Sequence, residues 1–134
     1  MNISHFLSNV IIEQVITRAY QGTASRWLYL DEKAKHLLSM VRSKTDPDFK
    51  NRPLSERLSS YVVHGGSVDI TYNLGCNGGK IGELNQESIC RGISAALKHH
   101  PDIIKAELEG KGTDVTADIL AQFFVFGCTP YMTR

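Results

Sequence analysis

One stretch, residues 61–84, narrows the fold more than any other. Within it Val68, Ile70, Tyr72 and Leu74 alternate with Asp69, Thr71 and Asn73. Side chains on a strand point to opposite faces with period two, so this segment predicts a strand with one apolar and one polar face. Gly65-Gly66 on one side and Asn77-Gly78 on the other can take the positive φ angles that two-residue hairpin turns require. The stretch therefore predicts a three-stranded antiparallel meander: 61–64, 68–74 and 80–84. Gly82 weakens the third strand. A small meander with one greasy face is not stable alone, so the flanking segments must cover it.

Those segments carry helical periodicity. In residues 3–20, Ile3, Phe6, Leu7 and Val10 form one apolar stripe, and Ile12, Val15, Ile16 and Ala19 form a second, rotated from the first. A helix apolar around more than half its circumference is either deeply buried or shared with a partner. Residues 24–42 place Trp27, Leu30, Ala34, Leu37, Leu38 and Val41 on one stripe and predict a second long helix. Residues 43–53 are polar, contain Pro47 and Pro53, and read as a surface loop. A short helix over 54–60 leads into the meander. Beyond it, Asn85 caps a helix running to 99, and Pro101 opens another over 102–109 that Gly110 and Gly112 stop. Thr113 caps a last helix over 114–126, ended by Gly127. The expected fold is α+β and mainly helical, with helices packed on a small three-stranded antiparallel β-meander. A chain of 134 residues fits a single globular domain, 1–134.

Composition excludes more than it names. Net charge is +1, which argues for no particular partner. Nine Lys/Arg against six Asp/Glu through Ser60, and six against eight beyond it, make a mild asymmetry that a solvated surface explains. The cysteines (Cys76, Cys90 and Cys128) are odd in number and lack paired spacing. That disfavours a disulfide framework and points to a reducing compartment. The first residues lack a signal-peptide pattern, and no apolar run approaches the roughly 18 residues of a membrane span. The expected location is cytoplasmic, with no membrane association.

The sharpest short match is Gly75-Cys76-Asn77-Gly78-Gly79, which resembles the Gly-Cys-Asn-Gly-Gly segment of papain-like cysteine proteases. Gln21-Gly22 with Trp27 resembles that family's active-site segment, Gln-Gly-x-Cys-Gly-Ser-Cys-Trp. Arg26 stands at the nucleophile position, however, and no cysteine lies between Gln21 and Trp27. The resemblance places Cys76 at a structural position of the family, and the chain is short for its two-lobed fold. No catalytic role transfers, because a nucleophile needs a base and an orienting partner. An exposed Cys76 thiol would be reactive only beside a cation or a helix N-terminus.

Other chemistry is equally sparse. His64, His99, His100, Cys76, Cys90 and Cys128 form neither a Cys-x-x-Cys nor a His-x-x-x-His pair, so no metal site is expected. The glycine pairs match no phosphate-binding pattern, and no cofactor is expected. The order of helices followed by a hairpin is loosely that of a winged helix, with Lys44, Lys50, Arg52 and Arg57 as its nucleic-acid contacts. Asp46, Asp48 and Glu56 dilute that patch. The better-supported expectation is a small non-enzymatic binding or regulatory protein, acting through protein–protein contacts or as a homo-oligomer. The over-apolar first helix and the aromatic last helix carry it, with Phe6, Val10 and Phe124 as the expected contact residues.

Overall fold

The computed structural model describes residues 8–41, 47–71 and 80–130. Among them run six helices and two strands: α1 (Asn9–Gln21), α2 (Glu32–Met40), α3 (Leu54–Val63), β1 (Val68–Thr71), β2 (Lys80–Leu84), α4 (Gln86–His99), α5 (Pro101–Leu108) and α6 (Asp114–Phe126). Two 3-10 turns, Thr23–Arg26 and Phe49–Asn51, connect them. The architecture is mainly helical α+β with a two-stranded antiparallel hairpin.

Helix α6 is the centre. Its sequence is apolar around most of its surface, and it is walled by α1, α4, α5 and β2. Phe123, Phe124 and Val125 are all buried, as are the facing Ile12, Val15, Ile16 and Ala19 of α1. Helix α4 approaches closest at Gly92. A Cβ there would lie 2.6 Å from the carbonyl carbon of Phe123, so only glycine lets the two backbones meet. Asn85 and Thr113 cap α4 and α6 as expected, and each closes a capping box, with Ser88 and Thr116 respectively.

The structure corrects three expectations. First, residues 61–63 are not a strand but the last turn of α3, so the described hairpin has two strands rather than three. Val62 and Val63 are buried there, and burial overrides their preference for strands. The glycine pair ends a helix instead of turning a hairpin. Gly66 N–H donates to Tyr61 O (2.8 Å) and Gly65 N–H to Val62 O (3.2 Å), with Gly65 at φ 107°, the Schellman pattern of a helix stop.

Second, the long helix expected over 24–42 is confined to α2. The chain before it turns through 3-10 geometry and then extends, so that Tyr29 O accepts from Thr71 N–H at the edge of β1. Asp31 restarts the helix by accepting from Ala34 N–H at 2.8 Å. Trp27, Leu30, Ala34 and Leu38 of the expected stripe are buried all the same. Third, α1 begins at Asn9, with Ser8 as its cap, and the stripe positions before it lie outside the described residues.

The hairpin pairs Val68 with Leu84, Asp69 with Glu83 and Ile70 with Gly82, with an irregularity before Thr71–Lys80. Val68, Ile70 and Leu84 face the core. Gly82 sits against Val125 of α6, where a side chain has no room. The far end of the expected middle strand and the Gly-Cys-Asn-Gly-Gly segment, residues 72–79, lie outside the described residues.

Candidate functional site

Helix α1 has a second face that does not enter the core. Val10, Glu13, Gln14, Thr17, Arg18 and Gln21 recur at three- and four-residue spacing, so they line one side of the helix. Opposite stand Glu56, Ser59 and Ser60 of α3. Phe49 and Arg52 complete the described lining, and together these residues bound an open groove of about 550 Å³. That is the size of a small-ligand or short-peptide site.

Small hydroxyls make the floor. Ser59 of the lining is buried, as is Ser55 next to it on α3. Ser59 donates to Glu56 O at 3.1 Å, so Thr17 must be the donor in its 3.0 Å bond to Ser59 Oγ. Gln21 Nε2 donates to Ser55 Oγ at 2.8 Å. The floor is thus hydrogen-bonded within itself.

The charges differ in their freedom. Arg18 reaches away from the groove to Glu107 of α5, donating at 2.7 and 3.1 Å to its two carboxylate oxygens, and to Thr113 O at 3.1 Å. The hydrogen bonds to Glu107, and the negative charges of Glu107 and Asp114, raise its pKa above its ordinary value. Glu107 is 5 % exposed and accepts a further bond from Thr116 Oγ1 at 3.0 Å. Arg52 stands 3.9 Å from Glu56. Glu13, half-buried, makes no hydrogen bond or ion pair with any described residue.

The described lining contains no histidine or cysteine, and the Ser59 hydroxyl is committed to a carbonyl. The lining offers an aliphatic side chain at Val10, amide groups at Gln14 and Gln21, hydroxyls at Thr17 and Ser59, and the Glu13 carboxylate.

The expected contact residues fall in different places. Val10 is 62 % exposed and forms the groove's rim. Phe124 is 0 % exposed and offers no surface. The aromatic run that suggested a docking face exists because α6 is enclosed around Phe123, Phe124 and Val125, although its first turn, with Val115, is exposed. Phe6 lies outside the described residues, as do Lys44 and Cys76. Lys50 and Arg52 are exposed, and Arg57 donates its Nε–H to Arg52 O at 3.0 Å. Arg57 is thereby tied to the Arg52 backbone, while the Arg52 side chain stands beside Glu56. Sequence reading missed Glu13, Gln14, Thr17 and Gln21, whose shared spacing was visible as a polar stripe beside the apolar one.

Elsewhere, a cavity of about 50 Å³ opens between the Thr23–Arg26 turn and α6, beside Asp118. Asp118 Oδ1 accepts from Trp27 Nε1 and Gln122 Nε2, and Arg26 stands 3.6 Å from Oδ2. No cluster of three or more His, Cys, Asp or Glu groups suited to a metal occurs among the described residues. No described helix is long and apolar enough to cross a membrane. No protein-family model, curated protein or solved structure matches the chain.

Proposed function

We propose that this is a small binding or regulatory protein that engages another polypeptide through the groove between α1 and α3. The observation carrying this reading is Val10, a large apolar side chain left 62 % exposed on the lining of an open groove of about 550 Å³. Floor groups that satisfy one another need no ligand for folding, so the groove can stand open until a partner fills it.

The test is affinity capture from native lysate with wild-type protein and Val10→Asp, with and without nuclease. Val10 lies in the first turn of α1, where an acidic residue favours the helix dipole, so the variant should keep the wild-type unfolding temperature. A stoichiometric protein captured by wild type, resistant to nuclease and lost with Val10→Asp, is the expected result. Capture that survives Val10→Asp would remove the groove from the account. Capture that vanishes with nuclease would place nucleic acid, through Lys50, Arg52 and Arg57, ahead of it. Self-association, read by sedimentation of the two proteins, would identify the partner as a second copy.

A further inference from the structure

We infer that the groove's occupant presents a lysine or arginine side chain to Glu13 beside an aliphatic side chain over Val10. This rests on the groove being a polypeptide-binding site and adds its charge specificity. Among the described residues, four charged ones line the groove: Glu13, Arg18, Arg52 and Glu56. Arg18 is held by Glu107 from behind, and Arg52 stands with Glu56. Glu13 alone of the four has no counter-charge among the described residues.

Glu13 lies three residues from Val10, one turn along the same face of α1, so the two side chains are neighbours. It is half-buried, which removes part of its hydration without replacing it. An incoming ammonium or guanidinium restores that loss, and its alkyl stem suits the apolar rim. Phosphate or carboxylate ligands meet the opposite situation: the described cations of the groove, Arg18 and Arg52, are already engaged, and the Glu13 charge repels them.

The probe is a display library of random linear peptides, selected on wild type, Val10→Asp, Glu13→Gln and Glu13→Lys. Peptides selected by wild type should pair a Lys or Arg with a neighbouring Leu, Ile or Val. A synthetic peptide from that set should bind Glu13→Gln roughly fivefold more weakly, the size of a partly exposed ion pair. Replacing its cation by Glu should restore binding to Glu13→Lys. Circular dichroism of each variant confirms that α1 is intact. Binders that need Val10 but show no cationic preference, and ignore Glu13→Gln, would overturn the charge inference and leave the groove reading standing. Binders indifferent to both positions, or no binders, would overturn both.

Discussion

Trp27 donates its indole N–H to Asp118 Oδ1 across 2.7 Å inside the core. Both residues are 4 % exposed. The bond ties the 3-10 turn after α1 to the central helix, and Gln122 Nε2 donates to the same oxygen at 3.0 Å. Arg26 adds a counter-charge from the side open to solvent. A buried carboxylate is tolerated here because donors and a cation surround it.

Asp118→Ala should therefore cost far more than a lost methylene. It leaves the Trp27 and Gln122 donors buried without their acceptor, a penalty of about 3 kcal/mol. Asp118→Asn keeps an oxygen in place and should cost roughly half as much. Urea unfolding of the two variants gives the comparison, with equal losses counting against the hydrogen-bond account.

Arg18 and Glu107 make the second long-range polar lock, 89 residues apart in sequence. The carboxylate is buried while the guanidinium is about one-third exposed, so the two partners are not equivalent. Arg18→Met strands a buried charge with Thr116 as its remaining side-chain donor and should cost about 3 kcal/mol. Glu107→Gln removes that charge, leaves Arg18 partly hydrated, and should cost about 1 kcal/mol. The order of the two unfolding midpoints is the readout, and the reverse order would mean that Glu107 is solvated in the folded protein.

Local signals were legible and distant ones were not. Asn85, Thr113 and Gly127 announce helix ends because capping is a bond between residues a few positions apart. Gly65-Gly66 carries a local signal with two meanings, hairpin turn or helix stop. The choice falls to the helix because Val62 and Val63 find core neighbours. The break between Thr23 and Asp31 could not be read from periodicity, since Trp27 and Leu30 occupy core positions whether or not the backbone there is helical. It depends on Tyr29 meeting Thr71. The groove was half visible: its α1 side has helical spacing, but the Ser59 and Ser55 contacts to Thr17 and Gln21 belong to tertiary packing. Phe124 misled because an all-round apolar helix has the same sequence whether protein or partner encloses it.

Gly92→Ala should destabilise the protein although alanine is the better helix former. The substitution gains about 1 kcal/mol of helix propensity. Its Cβ would lie 2.6 Å from Phe123 carbonyl carbon and 2.7 Å from Phe124 nitrogen, and backbone cannot swing aside as a side chain can. Forcing α4 and α6 apart opens the core at Ile89 and Ile93, so a net loss of about 2 kcal/mol is expected. A thermal melt decides the sign, and a raised midpoint would show that the two helices do not approach so closely in solution.

On the hairpin, Asp69 and Glu83 are cross-strand partners, two carboxylates side by side, and Lys80 reaches both. The hydrogen bond from Lys80, and then its charge, hold the Glu83 carboxyl below its ordinary value of 4.5. A depressed native pKa contributes stability that is fully present above the unfolded value. That contribution fades as pH falls below 4.5 and is gone once pH has passed the native pKa. The pair is exposed, so salt should weaken it as well. Nuclear magnetic resonance titration of the Glu83 side chain should give a midpoint below 4.5 that rises toward it in Lys80→Met and in high salt. A wild-type midpoint that Lys80→Met leaves unmoved would mean that Lys80 does not bridge the two carboxylates in solution, and the hairpin would then carry their repulsion uncompensated.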